Sequence, residues 1–193
     1  MVSLRQRNKL NAMRLTQRTA LPMFIEQGFD NVTVADIAAE VGIAASTIYR
    51  HFSTKEAIVL WDEHDGDFET ALVAELRRQP PLAAMRTAFV DALGALYEAD
   101  LYFQLERVSF IYETESIHAA AVEQDLADRD ELADALRHFL SKKQRDAAPL
   151  LAGAAMLALD IAFDRWQQLN GKTPLGKLID AEFAKLAALG EIS

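Results

Sequence analysis

Within residues 33–56, TVADIAAEVGIAASTIYRHFSTKE, helix start and stop signals recur so closely that no helix there can exceed about two turns. Thr33 with Asp36 forms a T-x-x-D capping box, and Val32 with Ile37 stands at the flanking staple positions, so a helix is expected from Val34. Val34, Ile37, Ala38 and Val41 share one face, and Gly42 can take the left-handed conformation that ends a helix. In the next helix, Ile48 and Phe52 point inward together, which at about 100° per residue turns Ser46, Thr47 and Arg50 outward, with Ala45 and Tyr49 near the border. Ser53 with Glu56 forms another box, expected to open a long third helix. Two short helices joined by a tight glycine turn have the geometry that lays one helix in the major groove of DNA.

No stretch alternates as a strand would, while apolar residues recur at helical spacing nearly everywhere, so the fold class expected is all-α. Gly28, Gly42, Pro80-Pro81 and Asn170-Gly171 act as breakers and divide the chain into helices at 4–27, 34–41, 45–51, 54–78, 81–98, 101–113, 115–143, 148–169 and 175–189. The domains expected are an N-terminal three-helix head at 1–53 and a helical body at 54–193. Pro22 lies inside the first helix and could kink or split it, since proline lacks the N–H of the helical ladder, and one kinked helix is expected. Leu15, Phe24 and Ile25 are all expected in the head's core.

The chain's formal net charge is −9, unfavourable for contact with a polyanion, yet the charge is unevenly placed. Residues 1–60 carry seven bases against five acids, a net of +2, which leaves −11 on the other 133 residues, and no acid occurs before Arg18. A mildly basic head on an acidic body fits a nucleic-acid binder, as it also fits a solvated charged helix. The absence of cysteine excludes disulfides, thiolate metal sites and cysteine nucleophiles and fits a reducing cytoplasm. No signal-peptide pattern and no run of about 18 apolar residues is found, so a soluble cytoplasmic protein is expected, without a membrane partner.

In the head, Thr33, Thr47, Tyr49, His51 and Lys55 are donors able to reach phosphate oxygens, contacts that fix register without encoding sequence. Arg50 can bond bidentately to guanine O6 and N7, and Ala45 offers a methyl surface to thymine. Singly, each is as well explained as an ordinary surface residue; the case rests on their spacing together with the boxes and the glycine.

From Gly28-Phe29-Asp30 through TVADIAAEVGIAASTIYRHFSTKEAI the sequence resembles the DNA-binding head of TetR-family bacterial transcription regulators, over about residues 5–60. The resemblance implies that Thr33, Thr47, Tyr49, His51 and Lys55 bind phosphate and that Ala45, Ser46, Thr47 and Arg50 lie against base edges. Two departures stand out: Ala44 occupies the N-cap where such proteins usually have serine, and Pro22 interrupts a helix that is normally continuous.

The body is rich in aromatic residues on amphipathic helices, which serve first as core. The family resemblance adds an effector pocket among them, with Trp61, His64, Phe68, Phe89, Tyr97, Phe103, Arg107, Phe110, His118 and Trp166 as its candidates, and a small, largely apolar effector. The helices at 148–169 and 175–189 are apolar on more than one side, and TetR-type regulators pair such helices into a dimer. Leu151, Ala155, Ala158, Ile161, Ala162, Leu178, Phe183 and Leu186 are the candidates for that interface. Asp160 is expected to face water, the pocket or Arg165. The stretches HFSTKEAIVLWDEHD and TPLGKLIDAEFAKL resemble TetR-type regulators associated with mycofactocin and acyl-CoA metabolism, which implies an acyl-type effector. The function expected is a ligand-responsive repressor that binds a pseudo-palindromic operator as a dimer, with no catalytic residue, metal or cofactor. Its competitors are a constitutive DNA-binding protein and, from another class, an enzyme or metal protein built on Glu63, His64 and Asp65.

Overall fold

Pro22 does not divide the first helix. The computed structural model describes residues 4–62 and 65–189, with backbone alone at 65–67, and α1 runs unbroken over Leu4–Gln27. Its buried residues Met13, Thr16, Gln17, Ala20, Leu21 and Phe24 keep the 3–4 spacing of a single face straight past the proline, so packing overrides the one lost backbone bond. Leu15 and Ile25 fall off that face and are exposed, against expectation, whereas Phe24 is buried.

All other regular elements among the described residues are helical too: α2 Val34–Val41, α3 Ala45–His51, α4 Glu56–Leu60, α5 Asp65–Leu76, α6 Pro81–Ala99, α7 Leu101–Glu113, α8 Glu115–Arg137, α9 Ala148–Gln168 and α10 Leu175–Leu189, with 3-10 turns at Phe29–Asn31 and Arg145–Ala147. The expected long helix at 54–78 is two helices, because the backbone leaves the helix at Trp61 (φ −54°, ψ 128°). The start of α4 also differs: Thr54 Oγ1, not Ser53, accepts the N–H of Ala57 at 3.1 Å. Helix α8 stops at Arg137 rather than 143 and gives way to turns.

The chain forms two compact units, Met1–Glu63 with Ser109–Ala121, and His64–Val108 with Val122–Ser193. Helix α4 thus belongs to the head, which extends past the expected division at 53/54, since Ile58 and Val59 are buried there. The head's core joins Phe24, Phe29, Val32, Ile37, Ile48, Phe52 and Ile58. Phe110 stacks on Phe24 at 6.2 Å and meets Phe29 edge-on at 6.4 Å.

In the second unit α6 packs against α5 and α10, and α10 against α9. Small residues bring these helices close: Gly94 of α6 meets Gly176 of α10 backbone to backbone, where a Cβ on Gly94 would lie 3.3 Å from the Gly176 Cα. Ala148, Ala152, Ala155 and Ala162 of α9 are fully buried against larger neighbours such as Leu136, Trp166, Ile179 and Phe183. Helix α9 with the turn before it is long and apolar enough to cross a bilayer by length and composition, and here its alanine face lines the protein core.

Candidate nucleic-acid interface

The capping box at the start of α2 forms in both directions: the Asp36 N–H donates to Thr33 Oγ1 at 3.2 Å, and the Thr33 N–H donates to Asp36 Oδ2 at 2.9 Å. The Thr33 hydroxyl also donates to Asp36 Oδ2 at 2.5 Å, so both of its donors are engaged within the cap. These bonds hold the Asp36 carboxyl below its ordinary pKa, side-chain bond first and backbone bond second. At the far end Gly42 adopts φ 77°, and the N–H groups of Gly42 and Ile43 both reach the Ala38 carbonyl at 3.0 Å. This left-handed cap is what lets α3 begin three residues later.

Along α3, Ile48 is buried while Ser46, Tyr49 and Arg50 are exposed and Ala45, Thr47 and His51 half-buried. Ser46, Tyr49 and Arg50 thus share the exposed side of α3, Tyr49 with them rather than at the border, and Ala45, Thr47 and His51 flank it. Ala44 is the N-cap and supplies no side-chain acceptor. The His51 imidazole is held below its ordinary pKa by burial first, then by the charges of Arg50 and Lys9. Lys9 of the acid-free arm thus lies within electrostatic reach of His51 at the end of α3.

Lys55 points the other way. Its ammonium donates to the carbonyls of Phe29 at 2.6 Å and Val32 at 3.1 Å and lies 4.1 Å from the centre of the Phe29 ring. The expectation of a phosphate-facing lysine is corrected here: both bonds tie the loop that precedes α2 to the start of α4.

Comparison with known proteins identifies this head. Residues 18–60 match the model of bacterial regulatory proteins of the tetR family, and residues 79–189, more than half of the chain, match the MftR C-terminal domain. The chain is a TetR-family transcriptional regulator.

Among relatives of this regulator, the candidate mycofactocin biosynthesis transcriptional regulator MftR of Mycobacterium tuberculosis is 27% identical over 183 residues, 89% of each chain. TcmR of Streptomyces glaucescens is 35% identical over 100 residues, 51% of this chain and 44% of TcmR, so the match spans less than half of that relative. In structure, the TetR-family repressor FadR of Thermus thermophilus, solved with lauroyl-CoA, matches with a TM-score of 0.52 at 20% identity, covering 91% of this chain and 93% of FadR. These relatives are regulators, and the chain is not an enzyme.

The regulator's expected pocket residues are divided between the two units. Phe110 and Trp61 are packing partners inside the head, Phe110 with Phe24 and Phe29, Trp61 with Phe52 at 6.1 Å, and His118 is an exposed residue beside Tyr112. Phe68 stacks on Phe89 at 4.4 Å, and Phe89 touches Phe183, a core role. Tyr97, Arg107 and Trp166 do come together: the buried Arg107 guanidinium donates through Nε to Gln104 Oε1 and through Nη2 to the Tyr97 hydroxyl, both at 3.0 Å, and Tyr97 meets Trp166 at 5.4 Å. Phe103 is half-buried on α7, and His64 lies outside the described residues, as does Glu63.

The expected dimer residues are corrected for the most part. Ala155, Ala158, Ala162, Leu178 and Phe183 are buried within the single chain and unavailable to a partner, while Leu151 and Leu186 are half-buried against the same core. Ile161 is exposed, and it shares its side of α9 with Leu157 and Leu150, neither of which the sequence pattern singles out. The apolar period of α9 is continuous around the helix, so spacing alone could not say which stripe faces inward. Asp160 is exposed on this helix and is held above its ordinary pKa by its partly desolvated setting. Arg165 pairs instead with the buried Glu182 of α10 at 2.6 Å, and Lys185 reaches the same carboxylate at 2.7 Å. These partners, Lys185 first, hold Glu182 below its ordinary pKa against the opposing effect of burial.

Proposed function

We propose that this TetR-family regulator is a dimeric, cytoplasmic repressor that reads a pseudo-palindromic operator through α3 and leaves it when the body takes up a small, largely apolar effector. The observation that carries the reading is the outward surface of α3, where Ser46, Tyr49 and Arg50 stand exposed around the buried anchor Ile48. Arg50 and Ser46 with the half-buried Ala45 and Thr47 are the base-facing set, and Thr47, Tyr49 and His51 bind phosphate. Thr33 shares in phosphate binding only through the helix start it caps, because its donors are engaged. The exposed leucine–isoleucine stripe of α9 supports dimerisation, which holds two reading helices at half-site spacing.

For the effector, the buried Arg107 with Tyr97, Gln104 and Trp166 supports an anionic head group beside an aromatic wall. Lauroyl-CoA, the molecule held by T. thermophilus FadR, is the first probe to use. Release of DNA requires that the effector bind the two states of the dimer unequally. Operator duplexes selected from random sequence are titrated with the protein, with and without lauroyl-CoA, at several salt concentrations. Sequence-selective binding that falls steeply with salt and weakens with the acyl thioester is the expected result. Binding indifferent to sequence would overturn the repressor reading, and selective binding that no acyl thioester alters would favour a constitutive DNA-binding protein.

A further inference from the structure

Gln17 is a polar residue on the buried face of α1, 6% exposed, in a stripe otherwise made almost wholly of apolar side chains. Its Nε2 donates to three carbonyls at the end of α4: Ile58 at 3.0 Å, Val59 at 3.2 Å and Trp61 at 2.7 Å. The last carbonyls of a helix have no partner within it, and when buried they need one from elsewhere. An amide nitrogen has two hydrogens, so the three oxygens share them. If α4 continued past Leu60, the Ile58 carbonyl would accept from the N–H of Asp62 by the ordinary i to i+4 pattern. The Gln17 amide therefore satisfies the oxygen that a further turn of helix would use, so the helix can end there without leaving it unpaired. The backbone leaves the helix at Trp61, and the next apolar residue after it is Phe68.

The end of α4 is coupled to α3 through Trp61. Its ring lies edge-on to Phe52 at 6.1 Å with an interplanar angle of 80°, and Phe52 is the buried residue that closes α3, its N–H bonded to the Ile48 carbonyl at 2.8 Å. Arg50 and His51 stand on that closing turn. We propose that Gln17 is a positioning residue for DNA reading: its amide ends α4 at Leu60, sets Trp61 against Phe52, and so fixes the turn of α3 that carries Arg50 and His51. The inference rests on α3 being the reading helix.

Two replacements separate the donor from its volume. Gln17→Met fills the same length with no donor, and Gln17→Glu keeps the shape but turns a carboxylate toward three carbonyl oxygens. Trp61 and Trp166 are the chain's two tryptophans, so on a Trp166→Phe background Trp61 alone reports its own surroundings. Both variants are expected to shift Trp61 emission and, with Trp166 intact, to raise the operator Kd by about fivefold or more, equivalent to about 1 kcal/mol or more of lost positioning. Met and Glu variants that emit and bind like the Gln17 protein would overturn the proposal, as would an emission shift with unchanged operator affinity. Should Gln17→Glu fail to fold, Gln17→Met carries both arms. If the unmodified protein binds no duplex DNA, it is the reading of α3 that fails, and Trp61 emission still decides whether Gln17 sets the end of α4.

Discussion

Replacing Lys55 by methionine keeps the aliphatic stem and removes the ammonium, which separates two roles for this residue. In the structure the charge bonds to the Phe29 and Val32 carbonyls at 2.6 and 3.1 Å and lies over the Phe29 ring. Hydrogen bonds to charged groups contribute about 1.5–3 kcal/mol each and a partly exposed cation–π contact about 0.5–1. Lys55 is half-buried and water competes for its charge, so we expect a net loss of about 2–3 kcal/mol. For a chain of this size that lowers the melting temperature by about 5–10 °C if it unfolds in one step. The decisive assay plots the logarithm of the operator binding constant against the logarithm of salt concentration. A lysine on a phosphate contributes about 0.9 to that slope. With its ammonium turned inward, Lys55→Met should leave the slope unchanged and lower affinity by the same factor at every salt concentration. A flattened slope at an unchanged melting temperature would refute the inward role and restore the phosphate contact.

Arg50→Ala is expected to cost about 1–3 kcal/mol at one base pair of the operator and to relax selectivity there, read by comparing single-base operator variants. Ile161→Glu places a charge on the exposed stripe of α9 and should convert dimer to monomer in native mass spectrometry without lowering the melting temperature of the monomer, since Ile161 is outside the core. Glu182→Gln leaves Arg165 and Lys185 without their carboxylate and should cost about 1–3 kcal/mol of stability at neutral pH. Because the Glu182 pKa is lowered by folding, its contribution is full above the ordinary carboxylate range and is lost as pH falls through the folded value; an acid titration of the wild type against Glu182→Gln should converge there. His51 is held below its ordinary pKa in the free protein, and a DNA phosphate would raise it, so binding should take up a proton and affinity should grow as pH falls from about 8 toward 6. His51→Gln should abolish that dependence.

The head was legible because its signals are local. A capping box, a glycine and a 3–4 apolar spacing each act within a few residues, and α2 and α3 begin and end where those signals stand. What failed was whatever depends on distant partners. The end of α4 meets Gln17, 41 residues upstream of Ile58, a partner that local spacing cannot name, although the polar run at 62–67 with Gly66 marks a break nearby. Lys55 reads as a surface cation until the Phe29 and Val32 carbonyls are placed beside it. In the body, α9 is apolar on most sides, so periodicity could not choose between Ala155, which is buried in this chain, and Leu157, which is not. Among the effector candidates Phe68 and Phe89 read alike with Tyr97 and Trp166, since aromatic residues in core and pocket are alike in sequence.

The contact between Gly94 and Gly176 has a consequence for how this chain can change over generations. Two helices touch there through their backbones, with no side chain on either side that could shrink to compensate for a larger neighbour. Most core positions drift by trading volume across a contact, large for small. This one has no such trade to offer, because glycine is already the floor on both sides. A side chain larger than alanine at either residue would have to push α6 and α10 apart, so this contact sets the spacing beside the open groove lined by Val90, Asp91, Glu98, Lys177 and Asp180.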